Sequence, residues 1–81
     1  MMKFVDIGFG NLAAVGRIVT VASPDTAPIK RLCQEAKDEG RVIDVSCGQK
    51  TRSVIVTDSG LVLLSPLETA DLQKRLAATE D

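Results

Sequence analysis

Histidine, tryptophan and tyrosine are absent from this chain of 81 residues, and phenylalanine occurs only twice. The lack of histidine removes the usual general base and the most common metal ligand of proteins. A serine or threonine nucleophile would therefore lack its usual partner. We accordingly predict a protein that is not an enzyme and has no catalytic residues. The scarcity of aromatic residues predicts a core of valine, isoleucine, leucine and alanine.

Cysteine is scarce as well, with only Cys33 and Cys47 in the sequence. They form no CxxC pattern and have no neighbouring ligand residues, so we expect two small buried thiols of a reducing cytosol. The carboxylates of Asp6, Asp44 and Asp58 are scattered on or beside predicted strands, where hydrogen bonding in turns and at sheet edges is their usual role. No metal site is predicted, and metal binding through these carboxylates is the alternative.

No apolar run approaches the ~20 residues that a membrane-spanning helix needs, and no signal peptide is recognisable. We therefore expect a cytoplasmic protein without a membrane partner. Ten basic and eleven acidic residues give a net charge of −1, which is unlike a strongly basic nucleic-acid-binding protein. Only a spatial cluster of basic residues could give this chain a basic face. A chain this short forms one small domain, residues 1–81, which commonly gains stability by associating with copies of itself.

The pattern of apolar residues and turn signals predicts an α+β fold: a small, largely antiparallel sheet with one main helix and a short C-terminal helix. The main helix has Thr26 as its N-cap and Gly40 just after its end. A capping box at residues 65–68, with Ser65 as the N-cap, begins the second helix. Hairpins are predicted around Gly16 and around the loop 48–50. The apolar face of the main helix comprises Ile29, Leu32, Cys33 and Ala36. Strands are predicted at residues 2–7, 12–15, 17–22, 41–47, 51–58 and 61–64.

The stretch VDIGFGNLA at residues 5–13 fits the pattern G-x-G-x-x-[GA] of loops that hold a dinucleotide pyrophosphate. Such a loop must open a helix that crosses back to a parallel strand. Here only about six residues separate Asn11 from the next β-rich run, which is too short for that crossover. We therefore predict a tight turn in which Gly8 and Gly10 supply positive φ angles, with no cofactor and no small-molecule substrate.

Seven of the ten basic residues divide into two groups. Lys50 and Arg52 lie at and just after a predicted hairpin tip, and no acidic residue occurs between Val45 and Thr57. A local positive charge of this kind is the pattern of a solubilising turn or of a nucleic-acid contact. The other group lies among acidic residues on predicted helix surfaces and is expected to be solvated: Lys30, Arg31, Lys37, Lys74 and Arg75.

Longer segments of the sequence carry a more specific pattern. They are KFVDIGFGN and GRIVTVASPDTAPIKRLCQEAKDEGRVIDVSCGQKTRSVIVTDSGLVLLS. With its IGFGN turn, its SPxxAPIKR helix start and its GxxTRxVIxxDS segment, the chain resembles the RemA family of small bacterial regulators from about Lys3 to Arg75. Known members bind DNA upstream of biofilm-matrix genes and activate them.

This resemblance implies a ring-shaped homo-oligomer whose rim presents arginines to the DNA backbone. Arg17 matches the family arginine that follows the glycine turn, and Arg52 matches the arginine after the threonine of the loop motif. The paired family arginines of that loop fall on Gln49 and Lys50, which is a departure. Lysine keeps the charge but loses the bidentate fork of arginine, and glutamine keeps only hydrogen bonding.

The leading hypothesis is therefore a ring-forming DNA-binding transcriptional regulator in which the DNA-binding residues are Arg17, Gln49, Lys50 and Arg52. Repetition around a ring would turn weak single contacts into one multivalent interaction. The alternative is a structural or protein-interaction oligomer with weak or no DNA binding, which Gln49 and the excess of acidic residues favour. Salt-dependent DNA binding distinguishes the two.

Overall fold

The structure is a computed structural model and describes residues 3–79. It has two helices, a two-stranded antiparallel ribbon of β1 and β2, and a four-stranded sheet in the order β3-β5-β6-β4. Because two of the three pairings in the larger sheet are antiparallel, the predicted α+β fold is confirmed. The elements are β1 (Phe4–Asp6), β2 (Leu12–Ala14), β3 (Ile18–Ala22), α1 (Ala27–Asp38), β4 (Val42–Asp44), β5 (Ser53–Thr57), β6 (Val62–Ser65) and α2 (Thr69–Ala78). Met2, where the first predicted strand begins, lies outside the described residues.

The elements form three layers, with an aliphatic core cluster on each face of the larger sheet. Successive side chains of a strand point to opposite faces of the sheet, and in β5 this alternation separates Val54 from Ile55. Val54 packs with Ala36 of α1 on one face. Ile55 packs with Val5 of the ribbon and Leu72 of α2 on the other face. The buried hydrophobic residues within 3–79 are all valine, isoleucine, leucine or alanine, as the composition predicts.

Helix α1 forms where the local signals place it. Thr26 is the N-cap residue, although its side chain makes no capping hydrogen bond. At the other end Gly40 has a φ of +71°, its N–H donates to the Lys37 carbonyl at 3.1 Å, and the Arg41 N–H donates to the Ala36 carbonyl at 2.8 Å. This is the Schellman geometry that favours glycine after a helix.

The predicted hairpin around residues 48–50 is wrong. Strand β4 does not pair with β5, because β6 lies between them and runs parallel to β4. Residues 45–52, which we name the crossover loop, pass over the end of β6. The Val45 N–H donates to the Leu64 carbonyl and the Arg52 N–H donates to the Ser65 carbonyl, both at 2.9 Å. Strand β6 is buried throughout and apolar on both faces, which is the pattern of a central strand.

The predicted capping box is also wrong. Ser65 is the last residue of β6 and fully buried, and its hydroxyl donates to the Ile7 carbonyl at 2.6 Å. It also accepts a hydrogen bond from the Leu67 N–H at 3.1 Å. Helix α2 begins later, at Thr69, with Glu68 as the N-cap residue. A buried hydroxyl needs partners, and the glycine turn supplies one of them from the far end of the chain.

The second predicted hairpin, around Gly16, is wrong as well. Strand β2 pairs with β1, and β3 pairs with β5. A 3₁₀ turn at Val15–Arg17 joins β2 to β3 and includes Gly16. The chain therefore passes from the ribbon to the larger sheet at this point, instead of folding back on itself.

The glycine turn joins β1 to β2, as we predict, with φ angles of +127° at Gly8 and +77° at Gly10. The Ile7 N–H donates to the Asn11 carbonyl at 2.8 Å, and the Asp6 carboxylate accepts from the Gly8 N–H at 2.7 Å. An antiparallel strand follows the turn, not the helix that a dinucleotide loop requires. Within residues 3–79 neither helix is long and apolar enough to cross a membrane.

Candidate nucleic-acid interface

The crossover loop carries three of the four predicted DNA-binding residues, and Asp44 at the end of β4 fixes its first turn. The Asp44 carboxylate accepts from the Ser46 N–H at 2.9 Å and from the Ser46 hydroxyl at 2.5 Å. These two hydrogen bonds, opposed by burial and aided by the nearby Lys37 ammonium, hold the pKa of Asp44 below its ordinary value. The Gln49 N–H then closes the turn on the Ser46 carbonyl at 3.0 Å. The loop is thus braced by local hydrogen bonds.

The tip of the loop points its side chains into solvent. Cys47 and Gly48 have positive φ angles of 52° and 81°, and Gln49 and Lys50 after them are exposed. Within residues 3–79 no carboxylate lies within 4.0 Å of the Lys50 ammonium. Lys50 therefore presents a positive charge that no ion pair in the described chain neutralises.

Arg52 is held differently. One guanidinium nitrogen (Nη1) lies 2.9 Å from the Glu68 carboxylate oxygen Oε1. Both side chains are at least half exposed, at 50% and 63%, so the pair is a solvated one of small energetic value. Sequence reasoning missed this partner because Glu68 follows Arg52 by 16 residues and fits the pattern of a capping box.

Arg17 lies away from these residues. It is the last residue of the 3₁₀ turn and lies beside the end of β5, where its carbonyl accepts from the Asp58 N–H at 2.9 Å. Its guanidinium is 3.5 Å from the Asp58 carboxylate, and its side chain is 64% exposed. Strand β5 separates Asp58 from Arg52, and six residue steps at about 3.3 Å each span roughly 20 Å. The structure therefore brings Gln49, Lys50 and Arg52 together and leaves Arg17 at the opposite end of the sheet.

A shallow groove of about 100 Å³ lies beside the loop. Lys50 and Arg52 line it together with Asp25 and Glu68, so its two cations face two carboxylates. An anion that enters this groove must compete with acidic side chains already present.

The two thiols differ from each other. Cys33 is half-buried on the sheet-facing side of α1, and burial raises the pKa of its thiol, with a smaller opposing effect of the Lys37 ammonium. Cys47 is exposed in the crossover loop, so the expectation of two buried thiols is wrong for this residue. Its backbone is in the left-handed region, with a φ of 52°. Within residues 3–79 no cluster of three potential metal-ligating residues occurs.

Known proteins resemble this chain over almost its entire length. The family model described as extracellular matrix regulatory protein A-like (RemA-like) matches residues 4–76. A protein of Geobacillus thermodenitrificans is 46% identical over 81 residues, covering 100% of this chain and 93% of the relative. One of Heliobacterium modesticaldum is 48% identical over 79 residues, covering 98% and 87%. One of Clostridium beijerinckii is 45% identical over 80 residues, covering 99% and 89%.

Each of these three relatives carries a provisional name as a regulatory protein. The matched region includes the glycine turn, α1 and the crossover loop, which are the segments on which the sequence resemblance rests. Family and names both indicate a regulatory protein and not an enzyme. The predicted relationship is confirmed, and the chain belongs to the RemA-like family of regulatory proteins.

Proposed function

We propose that this protein is a ring-forming DNA-binding transcriptional regulator, which contacts the DNA backbone through repeated basic residues and activates genes for the extracellular matrix of biofilms. The observation that carries the proposal is Lys50. It is exposed on a braced loop, without a carboxylate within 4.0 Å in the described chain, at a position that matches a DNA-contacting arginine of the family.

Oligomerisation is essential to the proposal because one protomer presents little positive charge to DNA. Its net charge is −1, and the guanidinium groups of Arg17 and Arg52 each lie beside a carboxylate. In a ring, every protomer repeats the same few cations. Several weak phosphate contacts then act together, since the first contact raises the effective concentration of the next. Backbone contacts of this kind position the DNA and read little of its sequence.

The ring also accounts for the separation between Arg17 and the crossover loop. Their distance of roughly 20 Å along β5 is too large for one phosphate group. DNA that follows the rim of a ring would meet the Arg17 end and the Lys50 end of the protomers in turn. The mechanism is wrapping or bending of promoter DNA, with specificity arising from the deformability of the DNA.

Surface features support association between copies. The β3 and β4 strands are both edges of the larger sheet, and exposed edges favour pairing with another chain. Large apolar side chains are also exposed, at 52% for Phe4, 64% for Leu12 and 65% for Val19. A chain of this size gains stability when such surface is buried against a neighbour.

The second candidate function is a structural or protein-interaction oligomer with weak or no DNA binding. Gln49, which carries no charge, and the carboxylates beside Arg17 and Arg52 favour it. The two candidates differ in their salt dependence. Phosphate contacts release counterions, so DNA affinity falls with salt, whereas aliphatic interfaces show no such dependence.

The test measures binding of a labelled duplex by fluorescence anisotropy over a series of KCl concentrations, on oligomers verified by light scattering. We expect Lys50→Ala to weaken binding to all sequences alike and to reduce the slope of log K against log salt by about one unit for each phosphate group that is no longer neutralised. Gln49→Arg should strengthen binding and steepen the slope. An intact oligomer whose affinity and slope are unchanged by both substitutions would contradict the proposal and favour the second candidate.

A further inference from the structure

A second groove runs between α1 and the larger sheet, with a volume of about 310 Å³. Its walls include Lys30 and Lys37 of α1, and Pro24 and Thr51 also line it. Pro24 and Thr51 line the groove beside Lys50 as well. The two grooves therefore adjoin each other, and α1 lies next to the surface that the crossover loop forms.

The charges of the two grooves differ. The groove beside the loop contains two carboxylates among its lining residues. The α1 groove contains none, because its lining residues are either neutral or lysine. Lys30 and Lys37 are exposed, and within residues 3–79 neither has a carboxylate within 4.0 Å. Asp44 is the acidic group that faces Lys37, and the lowered pKa of Asp44 reflects that proximity in part.

We propose that Lys30 and Lys37 form a second row of phosphate contacts, so that a nucleic-acid backbone leaving Lys50 continues along the groove of α1. This inference rests on the proposed function. The two lysines are seven residue steps apart along the helix, which is about 10 Å at 1.5 Å per residue. Three nucleotide steps of about 3.4 Å cover the same length of a duplex. Lysine is a point charge, so the contacts are independent of base sequence.

Gln34 lies between the lysines on the same stripe of the helix and also lines the groove. Its side-chain amide nitrogen donates to the Asp38 carboxylate at 3.1 Å. The hydrogen-bond partner of Asp38 is therefore the neutral Gln34 side chain. Lys30, Gln34 and Lys37 follow the spacing i, i+4, i+7, which places side chains on one face of a helix. This row of side chains therefore borders the apolar face of α1 and lines the groove.

The test compares Lys30→Gln and Lys37→Gln with Lys74→Gln, each measured by anisotropy with a random-sequence duplex over a KCl series. Lys74 is also an exposed helical lysine, but it belongs to α2, which packs on the opposite face of the sheet. Glutamine has nearly the helix propensity of lysine, and far-ultraviolet circular dichroism verifies the fold. We expect each α1 variant to bind about fivefold or more weakly at 0.1 M salt, with a slope reduced by about one unit, and Lys74→Gln to bind as wild type does.

The outcomes separate this inference from the proposed function. If wild type binds, Lys50→Ala weakens binding, and the α1 variants equal wild type, only the second row of contacts is overturned. A loss in Lys74→Gln as large as in the α1 variants also overturns it, because the effect would then be one of overall charge. If wild type shows no salt-dependent binding, the proposed function and this inference fail together.

Discussion

At the scale of single residues, the two glycines of the turn between β1 and β2 have different constraints. Both have positive φ angles, but a Cβ on Gly8 would lie 2.9 Å from the ring carbons of Pro66, whereas a Cβ on Gly10 would meet nothing within 4 Å. Glycine is therefore needed at position 10 only because the backbone has a positive φ angle. At position 8 it is also needed because Pro66, in the segment between β6 and α2, lies too close to leave room for a side chain.

Alanine substitution should separate these two requirements. We expect Gly10→Ala to lower the free energy of unfolding by about 1–2 kcal/mol, the cost of a left-handed backbone with a Cβ. Gly8→Ala should cost about 2–4 kcal/mol, because overpacking against Pro66 is added. Urea denaturation at one fixed protein concentration measures both values. Equal losses for the two variants would show that Pro66 moves aside at no cost.

The candidate DNA-binding side chains also differ at this scale. Arg17 and Arg52 each have a carboxylate beside them, from Asp58 and Glu68, whereas Lys50 has none within 4.0 Å among residues 3–79. Exposed ion pairs of this kind are weak, so a phosphate group can displace the carboxylate. In the proposed DNA contact, the arginines would then contribute less net charge than their number suggests, and Lys50 would contribute more.

At the scale of elements, the ionised Asp44 carboxylate stabilises the first turn of the crossover loop through its hydrogen bonds with Ser46. The hydrogen bonds from Ser46 lower the pKa of Asp44 in the folded protein, so the folded state favours the carboxylate. The stabilisation is fully present above the pKa of an unfolded aspartate, about 3.9, and is lost as pH falls through the lowered pKa of the folded protein. Its size is modest because Asp44 is exposed.

Substitution of either partner should flatten this acid dependence. We expect Asp44→Asn and Ser46→Ala to lower the free energy of unfolding slightly at pH 7 and to reduce its decline as pH falls below the pKa of an unfolded aspartate, about 3.9. Urea titrations at several pH values give the comparison. Should both variants keep the acid dependence of wild type, another carboxylate must be responsible and the loop has a different anchor.

Elements are predictable from the sequence where their determinants are local. Helix α1 has its N-cap residue, its apolar stripe and its Gly40 terminus within one continuous segment. The predicted β4–β5 hairpin is wrong because β6, a later strand, occupies the position between them. Ser65 resembles a cap, yet its hydroxyl bonds to the Ile7 carbonyl, 58 residues away. Local patterns contain no information about such distant partners.

The candidate site shows the same division. The exposure of Lys50 follows from a polar, glycine-containing loop and is predictable. The carboxylate beside Arg52 is not, because Glu68 lies 16 residues further along and meets it only in the folded chain. The proximity of Lys30 and Lys37 to the loop depends equally on the packing of α1 on the sheet. The sequence alone predicts only a solvated helix face for both lysines.

At the scale of the whole molecule, the apolar surface that is left exposed bears on assembly. Phe4 and Leu12 share the outer face of the ribbon, since Phe4 pairs with Ala14 and Asp6 with Leu12 in the antiparallel register. Leu12 and Leu61 both line a groove of about 470 Å³ between the ribbon and the β5–β6 hairpin. Arg17 lies at the same groove. A neighbouring protomer seated there would cover apolar surface next to one of the proposed DNA contacts.

We therefore expect a self-associated protein whose mass is a multiple of 8.6 kDa, and we expect Leu12→Ser to shift it toward monomer. Leu12 is 64% exposed, so the substitution removes little from the core of one protomer and should act mainly on the contact between protomers. Sedimentation velocity at micromolar concentration measures the mass. Ile43→Ser is the matched control, because Ile43 is 46% exposed on the β4 edge. Dissociation by Ile43→Ser alone would place the contact between protomers at the β4 edge instead. A wild-type species of 8.6 kDa would contradict the proposed ring, because multivalent DNA binding requires several copies of Lys50 on one particle.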